Sequence, residues 1–164
     1  MQIEMPGIMT EFPKVAHGDL FMTLLDNKTQ VFGIRIKLDN SNAVAHLNGG
    51  LPKVVDENHF RNRDVLVLRD ICFRFPEMSS AKIGNPDTYA YGSAILSAEG
   101  TFIRAAHANG PYDVNIGNGS VQLSRNHPGS LWFPSWEVVL SRPAKSEVLF
   151  AHNQTAASSA ELRM

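Results

Sequence analysis

The stretch VNIGNGSVQL, residues 114–123, constrains the fold more than any other, because two alternating apolar runs flank an Asn-Gly pair. Asn and Gly tolerate the positive φ angles of a two-residue type I′ turn, and that turn matches the twist of paired strands. With Asn118 and Gly119 as the turn, Ile116 faces Val121, Val114 faces Leu123 and Tyr112 faces Arg125. The apolar side chains then share one face, while Asn115 and Gln122 share the other. Turn chemistry and side-chain register agree on an antiparallel hairpin.

The same logic applies to TYAYGSAILSAEGTFIRAAHA, residues 88–108. A turn at Glu99-Gly100 sets Leu96 against Ile103, Ala94 against Ala105 and Gly92 against His107, a small apolar face that invites close packing. In residues 19–38, Asp26 to Thr29 supply a turn, and Phe32, Ile34, Ile36 and Leu38 alternate with Gly33, Arg35 and Lys37, the period of a strand with one wet face. Residues 65–75, VLVLRDICFRF, read as a single strand, buried on both faces at its start and on one face later. Trp136, Val138 and Leu140 alternate up to Pro143, and Glu147 to Phe150 form one more short run.

Helical signal is thin: a turn or two over residues 55–62, and an Ala/Ser-rich stretch at 154–163 with almost no apolar stripe. Gly, Pro and Asn cluster between the runs, as in Asn48-Gly49-Gly50-Leu51-Pro52 and His127-Pro128-Gly129. Hairpin spacing of about eight to ten short strands predicts an all-β fold, a single antiparallel barrel or, as the alternative, a two-sheet sandwich. Residues 1–150 form one domain in this reading, and 151–164 form a tail that is helical or contacts a neighbouring protomer.

Composition narrows the function classes. A chain of 164 residues is the size of one domain, with surface enough to bury a core unaided by metal or disulfide. The net charge of -1 gives no basic field for nucleic acid, and the Arg61-Asn62-Arg63 group is flanked by Asp56, Glu57 and Asp64. Cys72 is the only cysteine, so neither an internal disulfide nor a thiolate metal cluster is available. No apolar run is long enough to span a bilayer as a helix, and the N-terminus lacks the pattern of a secretory signal; a cytoplasmic, non-membrane protein is the expectation.

No phosphate loop, HExxH, GxSxG, CxxC or dinucleotide fingerprint occurs, so no cofactor is expected. The six histidines lie far apart in sequence, and no metal site is assigned; His46, His59, His107 or His127 with a carboxylate such as Asp113 are the residues such a site would need. His107, on the small apolar face, and Asp70, beside Cys72 and Arg74, are the candidate acid–base groups; the competing readings are a satisfied core histidine and a solvated strand edge. Trp132 and Trp136, separated by the strand-breaking Pro134, together with Tyr89, Tyr91, Tyr112 and Arg125, are the candidate ligand-binding residues.

The missing motifs favour a non-catalytic β-rich assembly or interaction protein that forms homo-oligomers. A barrel binding a small apolar or aromatic molecule is the alternative, and a cofactor-free isomerase or cyclase working in the barrel cavity is the second alternative.

Overall fold

The computed structural model describes residues 7–153 apart from 27, 76, 77, 85, 87–89, 143 and 144. The alternating runs pair into three antiparallel sheets. The first holds β1 (Gly7–Glu11), β2 (Leu20–Leu25), β3 (Thr29–Leu38), β4 (Ser41–His46), β5 (Lys53–Asp56) and β6 (Asp64–Leu68), ordered β1-β6-β2-β3-β4-β5. The second holds β8 (Lys82–Ile83), β9 (Ala94–Ser97), β10 (Gly100–Ala105), β11 (Tyr112–Asn115), β12 (Val121–Leu123) and β13 (Leu131–Phe133), ordered β12-β11-β10-β9-β13-β8. The third is β15-β14-β7, with β7 at Ile71–Arg74, β14 at Ser135–Arg142 and β15 at Lys145–Asn153.

All three sheets contribute to one core. Phe32, Ile34 and Ile36 of β3, Leu66 and Leu68 of β6, Ile103 of β10, Val114 of β11, Phe133 of β13 and Trp136 and Val138 of β14 are buried together. A second, smaller core lies on the opposite face of the first sheet, where Phe12, Val15 and Phe60 cover Phe21, Val31, Val44, Val65 and Val67. Its rings Phe12, Phe21 and Phe60 meet at 5.3–5.6 Å, and each fully buried ring contributes roughly 1.5–3 kcal/mol relative to exposure.

The second core corrects the wet face expected for β3. Gly33 is buried, and Arg35 is largely covered, donating to the carbonyls of Pro13 (2.8 Å) and Val15 (2.6 Å) and to Glu57 Oε2 (3.2 Å). Its guanidinium also lies 5.2 Å from the Phe12 ring centre, so Arg35 ties the covering segment to the sheet. Only Lys37 of the three polar-side positions is exposed.

No closed barrel forms among the described strands, which corrects the single-barrel expectation. Short reversals pass the chain between sheets instead of around one ring. Residues 65–75 are two strands: after β6 the chain bends at Asp70, at φ +53°, and β7 joins the third sheet, where Ser141 N–H donates to the Asp70 carbonyl (2.6 Å). At Pro134 the chain leaves β13 in the second sheet and enters β14 in the third. The first two sheets are stitched at two seams: Val54 N–H donates to Ala106 O (2.7 Å), and Lys37 N–H to Gly119 O (3.3 Å).

Both expected hairpins form, each slipped by two residues. In β11–β12, Tyr112 faces Leu123 and Val114 faces Val121, so Ile116 is not opposite Val121. The loop is longer than a type I′ turn because the asparagines serve it differently. Asn115 Oδ1 accepts from Gly117 N–H (2.8 Å) and Asn118 Oδ1 from Ser120 N–H (2.9 Å), while Gly119 N–H donates to Asn115 O (2.9 Å). In β9–β10, Ser97 faces Gly100 and Ala94 faces Ile103. Ala98 and Glu99 form that turn, and Gly100 follows it at φ +138°, a backbone region that glycine alone adopts freely. The helical turn expected at 55–62 is a short 3-10 turn, Glu57–His59, started by Asp56 accepting from Asn58 N–H (2.7 Å). β15 runs to Asn153; the remainder of the tail, and Tyr89, lie outside the described residues. No described helix is long and apolar enough to cross a membrane.

Candidate functional site

The residues singled out in the sequence do not meet in one place. Trp136 is fully buried in the main core, its indole N–H donating to Gly92 O (2.7 Å). Trp132, in the other sheet, is half-buried with the Lys82 ammonium 4.7 Å from its ring centre. Tyr91 and Tyr112 are buried, and Arg125 is exposed and paired with Glu99. Asp70 is exposed in the bend between β6 and β7. His107 is half-buried beyond β10, where its Nδ1 accepts from Asn109 N–H (3.2 Å) and its ring meets Tyr112 edge-on at 5.1 Å.

The two-residue slip also changes what packs over Gly92. The histidine there is His152 of β15, not His107. Its ring stacks on Trp136 (5.3 Å between centres, 24° between planes), and a Cβ at position 92 would run into it. Gly92 sits at φ +83°, so the close approach and the backbone both demand glycine. His152 Nε2 is buried without a hydrogen-bond partner, and burial lowers the imidazole pKa below its ordinary 6.5. His46 is shifted the same way by burial and by Lys53, with Asn48 opposing.

The most elaborate polar arrangement was only half visible in the sequence. Arg104 and Asp113 face each other across β10 and β11, both fully buried. The guanidinium grips the carboxylate with two bonds, Nε to Oδ1 (2.8 Å) and Nη2 to Oδ2 (3.1 Å), and Nη1 donates to Pro86 O (3.1 Å). His127 Nε2 lies 3.0 Å from Asp113 Oδ2, and its ring packs on Phe102 at 4.9 Å. An ionised carboxylate only accepts, so Nε2 carries the hydrogen. The sequence reading named Asp113 as the carboxylate a histidine would need, and His127 is the one that reaches it. Arg104 was missed, because its opposition to Asp113 lies across β10 and β11, a pairing between the two expected hairpins that neither turn specifies. With Arg104, Asp113 and His127 all buried, the network ties the 124–130 segment to the sheet. Among the described residues no cluster of three or more His, Cys, Asp or Glu is placed to hold a metal ion.

Among the described residues, an accessible groove lies on the first sheet. β2 and β6 pair only at Phe21–Val67 and Met22–Leu66. Beyond that point side chains span the gap: Thr23 Oγ1 donates to Asp64 O (3.0 Å), and Arg63 Nη1 to Leu24 O (2.9 Å). The depression that opens there holds about 490 Å3, with Met9, Met22, Leu24 and Leu66 as its apolar lining. Met22 and Leu66 continue the main core outward, past the cover of the third sheet, whose Phe150 packs on Phe32 (4.7 Å). Met9 is 52% and Leu24 49% exposed, and Ile8 on the neighbouring edge is 59% exposed. A second depression of about 380 Å3 shares Asn62, Arg63 and Asp64 and adds Glu11, Pro13 and Arg61, so the apolar trough ends in mixed charge. None of this was read from sequence, because Met22 and Leu24 carry the same alternation as buried positions.

No protein-family model matches the chain, and neither a curated protein nor a solved structure matches it.

Proposed function

We propose that this is a non-catalytic assembly protein that associates with copies of itself through the groove between β1, β6 and β2. The observation that carries the reading is the exposed pair Met9 and Leu24 in a trough floored by Met22 and Leu66. Contiguous apolar surface rimmed by polar groups is costly in water and is characteristic of contact surfaces. The rim fits that use: Glu11, Asp64, Arg61 and Arg63 carry both signs, which gives orientation without a net field. The groove lining includes no histidine, and its carboxylates Glu11 and Asp64 sit on the mixed-charge rim.

Sedimentation velocity over a wide concentration range tests this. The expected result is reversible association of the intact chain, abolished by Leu24→Asp, with the circular dichroism spectrum of the variant unchanged. A chain that stays monomeric at its highest soluble concentration overturns the proposal.

A further inference from the structure

Sheet edges invite pairing, and proteins normally blunt them. Among the described strands, four of the six edges carry a visible device. β5 is bonded to the second sheet, with Val54 N–H on Ala106 O (2.7 Å) and Ala106 N–H on Pro52 O (2.8 Å). The β12 side is closed by the bridge between Ser120 and Lys37. β8 is only two residues long. β15 is bulged opposite Val138 and Val139 and carries Glu147, whereas β7 is four residues long and its Arg74 reaches inward to Glu137 of β14. β1 has none of these. It is five residues, GIMTE, in unbroken register with β6, with Ile8 and Met9 exposed on opposite faces and its one charge at the end.

We infer that a second copy of this chain adds to β1 in antiparallel register about a two-fold axis at Met9, joining two first sheets into one continuous sheet. This rests on the assembly reading above and specifies its geometry. The occupant follows from the strand itself. Antiparallel pairing of identical strands is isologous, so it closes as a dimer. Centred on Met9, the axis places Met9 against its twin, Ile8 against Thr10 and Gly7 against Glu11, so no like charges face each other. Pro6 and Pro13 bound the stretch in sequence, and a proline has no N–H for the ladder. The Met9-centred register therefore uses every residue of the strand, whereas a shift of the axis to Ile8 or Thr10 brings a proline into the pairing. Met9 lies on the groove side of the sheet, level with Leu66, so its twin extends the trough lined by Met22 and Leu24. A five-residue strand alone is too small for a stable contact, which needs about 800 Å2 from each partner; the groove must supply the rest.

The test is site-directed cross-linking in a Cys72→Ser background, which removes the only native thiol. Residues directly opposite in an antiparallel pair have Cβ atoms about 4.5–5.5 Å apart, close to disulfide reach, whereas residues two positions off are not. Met9→Cys is expected to give a covalent dimer under mild oxidation, and Glu11→Cys is expected not to. As a second measurement, Met9→Lys and Met9→Glu should each be monomeric alone and should associate when mixed. Association of the unmodified chain that is lost in Leu24→Asp, with no Met9→Cys cross-link and no pairing of the Lys and Glu variants, overturns the strand geometry and leaves the groove reading standing. A monomeric unmodified chain overturns both.

Discussion

Replacing Asp113 tests whether the buried network holds the second sheet together. The carboxylate receives four contacts: Arg104 Nε at 2.8 Å, Arg104 Nη2 at 3.1 Å, His127 Nε2 at 3.0 Å and the Arg125 N–H at 3.4 Å. Without it, the Arg104 guanidinium loses both carboxylate bonds and retains the carbonyls of Pro86 (3.1 Å) and Arg125 (3.4 Å), while remaining fully buried. Removing one member of a buried ion pair costs about 3–5 kcal/mol, because the other charge is left uncompensated in a poorly polarisable site. Asp113→Asn keeps the shape and one acceptor oxygen but turns an amide NH2 toward donors, so it should fall near the lower end. Asp113→Ala also removes the acceptor 3.0 Å from His127 Nε2 and should fall near the upper end. For a chain of this size each kcal/mol moves the melting temperature by about 2–4 °C, so the expected drop is roughly 6–20 °C. Urea denaturation followed by tryptophan fluorescence reads the loss directly, since Trp136 is buried and Trp132 half-buried. The exposed pair Arg125–Glu99 is the control: Glu99→Ala should cost less than about 1 kcal/mol. If both Asp113 variants unfold within about 1 kcal/mol of the native chain, the network is not what holds residues 124–130 against β10 and β11.

Three further outcomes follow from the same contacts. The native fold lowers the pKa values of His152 and His46, so the unfolded chain takes up protons first; stability is unaffected well above the ordinary 6.5 and falls as pH drops below it, until the folded values are reached. His152→Phe, which preserves the stack on Trp136, should reduce the loss in urea midpoint between pH 7 and about pH 5, and an unchanged loss would remove His152 from the account. Gly92→Ala should destabilise by at least about 1–3 kcal/mol in the same assay, because the new methyl meets the His152 ring and the backbone is at φ +83°; a neutral result would mean that β15 shifts freely. A cysteine pair at Val114 and Val121 should form a disulfide more readily than a pair at Ile116 and Val121, which distinguishes the slipped hairpin from the register that the Asn-Gly turn alone suggests.

The hairpins show what a sequence of this kind reveals and what it conceals. Alternation identifies β9, β10, β11 and β12 and sorts their side chains into faces. It does not fix the register, because a slip of two restores the same face to every residue. Turn chemistry should break that degeneracy, but Asn118-Gly119 served both a two-residue turn and the wider loop closed by Asn115. The wider loop is held by side-chain bonds to the backbone, Asn115 to Gly117 and Asn118 to Ser120, which the two-residue turn leaves out of account. The consequence is local and specific: the turn-based register sets His107 over Gly92, where His152 belongs, and the β10–β11 pairing that sets Arg104 against Asp113 lies between the two hairpins, where neither turn specifies it.

The wet face of β3 and the open end of the first sheet are the same problem with opposite signs. Gly33 and Arg35 follow a polar-side pattern, yet Phe12, Val15 and Phe60 arrive from other segments to cover that side. Met22 and Leu24 follow a core-side pattern, yet the third sheet does not extend over Leu24. Period two in a strand reports which side chains travel together; only the neighbouring layer decides whether that side is dry. A contact surface of this kind is therefore built from residues that look like core, and it becomes visible where a core-type row outruns its cover. Met9, Met22, Leu24 and Leu66 meet that description, and they come from three strands that the sequence order does not place side by side.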